Sequence, residues 1–201
     1  MEFKPDKHEA WYNRGNSLGN LGRYEEAISS YDKAVEFKPD YHEAWYNRGN
    51  SLGKLGRYEE AISSYDKAVE FKPDKHEAWN NRGISLDDLG RYEEAISSYD
   101  KAVEFKPDDH EAWYNRGISL GNLGRYEEAI SSYDKAVEFK PDLHEAWYNK
   151  ACSYSLQNNI EQAIENLKTA INLHPKVREM AKTDSDFDAI REDERFQELI
   201  K

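Results

Sequence analysis

The sequence predicts an all-α chain, an α-solenoid of stacked antiparallel helix pairs. Three observations lead there. The stretch His42–Lys75 is a 34-residue repeat that His8–Tyr41, His76–Asp109 and His110–Leu143 reproduce almost letter for letter, and His144–Val177 is a divergent fifth copy. A period of that length marks stacked supersecondary units. Inside each copy, apolar and small residues recur at helical spacing in two runs. A glycine separates the two runs and a proline comes after the second, and these residues end helices.

The elements run in order. Residues 1–7, MEFKPDK, start no element; Glu2–Lys7 repeats the last six residues of the unit, as Glu70–Lys75 does. They are expected to be the remnant of a preceding repeat, in a chain cut from a longer array or begun inside a degraded copy. Ala10, Ser17 and Leu21 would then lack a covering helix, and an uncovered solenoid end invites self-association. The repeats proper span 8–41, 42–75, 76–109, 110–143 and 144–177. In the second, Asp40 is placed to cap the first helix, with Glu43 completing a box-like pattern. Trp45, Gly49 and Leu52 form its buried stripe, and Gly56 ends it in a left-handed conformation that Asn158 also tolerates in the fifth copy. The second helix starts near Tyr58 and buries Ala61, Ile62, Tyr65, Ala68 and Val69; Phe71 packs its end and Pro73 stops it. A glycine inside a helix costs about 1 kcal/mol against alanine, so its return at 15, 49, 83 and 117 implies close helix approach, with Ala61 as the small partner. Ala151 takes that place in the fifth copy. Residues 178–201 form capping helices: Val177–Lys182 opens a further helix, Thr183–Asp186 breaks it, and Ser185 caps the next helical stretch. Phe187, Ile190, Phe196, Leu199 and Ile200 then fold over the last exposed face.

Composition bounds the function. Charged residues make up 34% of the chain against 38% hydrophobic, so the core is thin and distributed, and the net charge is -12. Phosphate binding needs an excess of Lys and Arg, which argues against nucleic acid. No apolar run approaches the ~20 residues of a membrane span, and no signal peptide opens the chain. The single cysteine, Cys152, allows no intramolecular disulfide, and a reducing cytoplasm is the default location.

The pattern W-x2-R-G-x2-L … A-x3-Y-x2-A … P at this period resembles the tetratricopeptide repeat over residues 8–177. The resemblance implies a right-handed superhelix whose first helices line a concave groove that binds a segment of another protein. One departure is the basic residue before the glycine, Arg14, Arg48, Arg82, Arg116 and Lys150, where the family usually has leucine. It reads as a side chain snorkelling from the core edge or, alternatively, as a row of groove cations. The family's best-known specialisation grips a partner's terminal carboxylate with Lys, Asn and Arg. Asn47 matches, but Glu43, Glu77 and Tyr46 stand where cations are needed, which argues against that clamp here.

The four regular copies are identical at 29 of 34 positions. The differences fall at Tyr12/Tyr46/Asn80/Tyr114, Asn16/Asn50/Ile84/Ile118, Gly19/Gly53/Asp87/Gly121, Asn20/Lys54/Asp88/Asn122 and Tyr41/Lys75/Asp109/Leu143. The first four sets lie at i, i+4, i+7 and i+8 of the first helix and share one face. Second-helix positions such as Glu59, Ser63, Asp66 and Glu70 do not vary, although exposure there should be equal. The varying face, which the resemblance makes the groove, is therefore the expected peptide site. It comprises Tyr12, Asn16, Asn20, Tyr46, Asn50, Lys54, Asn80, Ile84, Asp88, Tyr114, Ile118, Asn122 and Tyr148, together with the invariant amides Asn13, Asn47, Asn81, Asn115 and Asn149. Those amides both donate and accept, which suits a peptide backbone. Glu9 and its copies Glu43, Glu77, Glu111 and Glu145 should favour Lys or Arg in the partner.

Other chemistry finds no support. His8, His42, His76, His110 and His144 open successive repeats about 10 Å apart, too far to share a zinc at ~2.1 Å, so helix-start packing is their role. Asp184, Asp186 and Asp188 open a calcium-loop spacing, but Ala189 and Arg195 stand where the loop requires Gly and Glu. Cys152 falls on the groove stripe without a histidine near it in sequence, as a small groove residue rather than a nucleophile. No catalytic or phosphate-binding motif is present. The sequence thus points to a non-enzymatic, cofactor-free scaffold for a basic or amphipathic protein segment, with neither nucleic acid nor membrane as partner. The alternative is a self-assembling structural protein, a homo-oligomer formed through its N-terminal face or by helix exchange.

Overall fold

The structure, a computed structural model, describes residues 7–201; Met1–Asp6, most of the expected remnant, lies outside the described residues. Each repeat is one helix pair. These are α1 (Lys7–Asn20) with α2 (Tyr24–Phe37), α3 (His42–Lys54) with α4 (Tyr58–Phe71) and α5 (His76–Asp87) with α6 (Tyr92–Phe105). They continue as α7 (His110–Asn122) with α8 (Tyr126–Phe139), and α9 (His144–Leu156) with α10 (Ile160–Leu173). The tail is α11 (Val177–Thr183), a 3₁₀ segment (Ser185–Ile190) and α12 (Glu194–Ile200). No strand occurs among the described residues, and the chain divides into an N-terminal body, residues 1–106, and a C-terminal body, residues 107–201. Within each body every second helix also packs on the first helix of the next repeat.

The second helices bury the face their spacing predicts: Ala61, Ile62, Tyr65, Ala68 and Val69 in α4, and their copies in α2 and α8. The recurrent glycine has a different partner from the one expected. A Cβ on Gly49 would stand 2.6 Å from Cε1 of Tyr65, in the middle of a buried ring, whereas Ala61 is not among its nearest neighbours. The lock is therefore Gly with Tyr. The fifth copy changes both halves together, to Ala151 and Leu167.

Helix ends obey the glycine rule, with Gly56 at φ +72° and Asn158 at φ 58°. The N-terminal prediction fails. The residue before α3 is Tyr41, and Asp40 makes no cap bond; among the described residues that precede first helices, only Asp109 caps with its side chain, accepting from Ala112 N at 3.3 Å. Asp40 lies one residue too early for its carboxylate to reach the first turn. Phe71 also departs from expectation. It stays 38% exposed, because α4 ends as its ring leaves the core.

The basic residue before the glycine is neither free nor a groove cation. Arg48 donates through Nε to Asp32 at 2.7 Å and through Nη1 to the buried Ser64 at 2.6 Å, joining α3 to α2 and α4. Arg82 repeats this with Asp66 and Ser98, and Lys150 pairs with Asp134. Part of the constancy of the second-helix surface has this structural cause.

The tail caps the fold more deeply than its sequence suggests. Phe187, Ile190 and Phe196 are fully buried in one cluster with Tyr148, Cys152 and Leu167. Asp184, not Ser185, caps the 3₁₀ segment by accepting from Asp186 N, and Arg191 donates to the carbonyls of Lys182 and Asp184.

Candidate interaction surface

In the N-terminal body, the varying positions of α1, α3 and α5 meet as a side-chain ladder. Asn16 Oδ1 accepts from the Tyr31 hydroxyl at 2.9 Å and from Asn47 Nδ2 at 2.9 Å, and that same amide donates to the Tyr12 hydroxyl at 3.2 Å. One repeat on, Asn50 accepts from Tyr65 at 2.9 Å and from Asn81 at 3.0 Å, and Asn81 donates to Tyr46 at 3.2 Å. The invariant amides thus spend their N–H groups within the protein. What remains unpaired among the described residues is the complement: Nδ2 of Asn16 and Asn50, Oδ1 of Asn47 and Asn81, and the O–H of Tyr12 and Tyr46. The fifth varying position joins this face too, with the Tyr41 ring 5.0 Å from Tyr12 and Lys75 Nζ 4.4 Å from the centre of the Tyr46 ring. Spacing along one helix gave no sign of that contact, since the two residues of each pair are 29 positions apart.

Two cavities open on this face. One of about 480 Å³ is lined by Asn16, Asn20, Asn47, Asn50 and Lys54 with Tyr24 and Tyr31. The next, about 460 Å³, adds Ile84 and Asp88 to Asn50, Lys54 and Asn81. The third repeat changes the ladder. Ile84 offers no acceptor and is 40% exposed, and the Tyr99 hydroxyl donates instead to Asp87 at 2.7 Å. Asn80, expected on the surface, is only 7% exposed, so it belongs to the packing. Glu9 and Asn13 are exposed on α1 outside both cavities. So are Ala10, Ser17 and Leu21.

In the C-terminal body, a cavity of about 430 Å³ is lined by Ile118, Asn122, Tyr133, Asn149, Leu156 and, from the tail, Asp186. Asn149 donates to the Tyr114 hydroxyl at 3.3 Å, and Asn115 is half-buried on α7. Tyr148 is not available to a partner. It is 7% exposed beneath the 3₁₀ segment, donates its hydroxyl to Asp184 at 2.5 Å and packs edge-on against Phe187. Cys152, also expected on the groove, is buried under the same segment. The tail gave no sequence signal for this role, because an amphipathic cap looks the same whichever face it covers.

Electrostatics modify the expected acidic row. Glu43, Glu77 and Glu145 each approach the histidine beside them, and Glu77 also meets Lys75 at 3.6 Å, so part of the Glu77 field is spent locally. The repeat-opening histidines pack as expected, His8 against Tyr41, while His144 packs at a tilt against the remote His174, with ring centroids 4.4 Å apart. Cys152, Asp184 and Asp186 bring ligand-type atoms within 4.8 Å of one another. Burial first, then the two carboxylates, push the Cys152 thiol far up, and Asp184 already serves Tyr148 and Asp186 N. A protonated thiol is a poor metal ligand. Burial likewise raises Tyr31, to about 12, and Tyr65, so both act as hydroxyls at any ordinary pH.

Comparison with known proteins agrees with this geometry. Family profiles described as tetratricopeptide repeat match residues 2–42, 12–76, 46–110, 80–144 and 144–177. No curated protein matches the chain. Among solved structures, it is similar to YrrB, described as a TPR protein with an unusual peptide-binding site. Identity to YrrB is 30%, covering 82% of this chain and 85% of that one, at a TM-score of 0.73. It is also similar in fold to MamA, at 21% identity, 86% and 94% coverage and a TM-score of 0.81. MamA from Desulfovibrio magneticus RS-1 gives 22%, 85% and 97%, and 0.79.

Proposed function

The chain belongs to the tetratricopeptide repeat family, and on that premise we propose that it is a protein-interaction scaffold whose first helices hold an extended segment of a partner protein. The observation that carries this is the set of open groups on α1, α3 and α5. Donors from Asn16 and Asn50 alternate with acceptors from Asn47 and Asn81 at the spacing of the repeats. A peptide backbone presents the same alternation in reverse. The ladder orders these side chains before the partner arrives, which lowers the entropy cost of binding. Tyr12 and Tyr46 add amphipathic faces of the kind enriched at interfaces. The net charge of -12 and the exposed Glu9 and Glu111 favour a basic or amphipathic segment. No helix among the described residues is long and apolar enough to cross a membrane. The reading places the chain in the cytoplasm as a binding module rather than a catalyst.

The test is selection of random dodecapeptides displayed on phage against the intact chain, with titration of the selected peptides afterwards. Asn47→Ala and Asn81→Ala should weaken binding about tenfold or more while the helical circular dichroism persists. Selected peptides that bind both variants as tightly as the parent would refute the ladder as the binding surface.

A further inference from the structure

The cavity of the C-terminal body departs from its counterparts in three ways. Repeats 1 and 2 satisfy the buried tyrosine hydroxyl with Asn16 and Asn50, and repeat 3 does so with Asp87. Repeat 4 has Ile118 and Gly121 at those positions. Tyr133, only 3% exposed and lining the cavity, therefore donates to no acceptor among the described residues. Its hydroxyl lies beside the Asn149 amide and opens on the cavity, so its proton is available to an acceptor that enters there. Among polar neighbours the cavity also presents two aliphatic side chains, Ile118 on α7 and Leu156 on α9, at positions where repeats 1 and 2 carry Asn16, Asn50, Asn20 and Lys54. Finally, the one charged side chain among the described lining residues is Asp186, which comes from the tail and not from a repeat.

Resting on the scaffold reading above, we propose that this cavity is the specificity site for the partner segment and takes one lysine or arginine side chain. The aliphatic stem lies along Ile118 and Leu156, and the cationic head meets the Asp186 carboxylate. The segment's backbone at that point supplies the carbonyl that the Tyr133 hydroxyl lacks. Charge complementarity selects a cation over other occupants. Partial burial first, and then the flanking carboxylates of Asp184 and Asp188, raise the affinity of Asp186 for a proton, so a bound cation compensates a charge that the site disfavours. Long cationic side chains suit such a mixed wall, since they bury their stems and keep the charge at a polar end. The tail then has two roles: it caps the last repeat and completes the site beside it. The sequence hid this, because Asp186 sits in an acidic run outside the repeats.

The experiment extends the dodecapeptide selection to four chains: the parent, Asp186→Asn, Ile118→Asn, and the Asn47→Ala/Asn81→Ala double variant. Asp186→Asn keeps the shape and removes the charge. Ile118→Asn installs the residue that repeats 1 and 2 carry, which should tie up the Tyr133 hydroxyl without loss of fold. The parent pool should show Lys or Arg at one fixed position. That preference should vanish with Asp186→Asn, and parent-selected peptides should bind Asp186→Asn and Ile118→Asn about tenfold more weakly. A parent pool without a fixed cation, or pools indifferent to both C-terminal substitutions, overturns the specificity site; if the double variant alone then loses selection, the scaffold reading survives. A parent chain that enriches no peptide overturns both.

Discussion

The pairing of Gly49 with Tyr65 gives a quantitative test of how each repeat is assembled. A methyl group added to Gly49 would meet Cε1, Cδ1 and Cζ of Tyr65 at 2.6, 2.8 and 2.9 Å. Carbon atoms prefer about 3.5–4.0 Å, so ring or helix must give way by about 1 Å. The ring cannot swing out. It is buried, its hydroxyl is held by Asn50, and Tyr46 packs on it with centroids 6.1 Å apart. Overpacking of this kind costs about 1–3 kcal/mol, offset by about 1 kcal/mol from replacing a mid-helix glycine. Gly49→Ala should therefore destabilise by about 1 kcal/mol. Tyr65→Leu removes ring contacts and the Asn50 bond and should cost about 2–3 kcal/mol. Together the two reproduce the Ala151 and Leu167 of the fifth repeat, where the smaller side chain leaves room for the methyl. The double variant should then cost about 1–2 kcal/mol, well below the sum of the singles. Urea unfolding of all four chains, with slopes checked for agreement, reads this coupling directly. Additivity within about 0.5 kcal/mol would refute the lock.

Burial sets two further outcomes. Tyr31 has its pKa raised from 10.0 to about 12 by burial and by Tyr12 beside it. Its neutral form is favoured in the folded state, so this stabilisation is complete below pH 10 and is lost as the pH rises from 10 through about 12. The part of the tyrosinate absorbance that Tyr31→Phe removes should accordingly appear above pH 10 and rise together with loss of helical signal; a removed part that titrates at pH 10 in a folded chain would contradict this. Cys152, buried beneath the tail with its thiol pushed up, should resist maleimide in the native chain. Phe187→Ala should cost about 3–5 kcal/mol and speed labelling markedly; rapid labelling of the parent would show that the tail does not cover α9.

The tail also explains why the fifth repeat differs. Cys152, Ser155 and Leu167 occupy the positions of Asn50, Gly53 and Tyr65, and two of them pack in the cluster that receives Phe187. What looks like divergence in sequence is a change of partner. The varying stripe was legible because four near-identical copies isolate it, and three of its positions do line the cavities in both bodies. The invariant amides were legible as polar groups but not as a ladder, since that requires knowing which copy's Asn16 meets which copy's Asn47. Asn80 and Tyr148 illustrate the limit: each continues the stripe in sequence, and each is buried by what packs over it.

By itself the sequence determined the helices, their C-terminal stops and most of their buried faces, because periodicity, glycine and proline act over a few residues and need no distant partner. It also determined which positions differ between copies. Only the tertiary structure decided what those positions face. Arg48 turned to Asp32 and Ser64 instead of a partner, Tyr41 closed over Tyr12, and the Asp184–Phe187 stretch covered α9. Those outcomes depend on contacts between residues far apart in the chain, where near-identical repeats offer several equivalent partners and only packing selects among them.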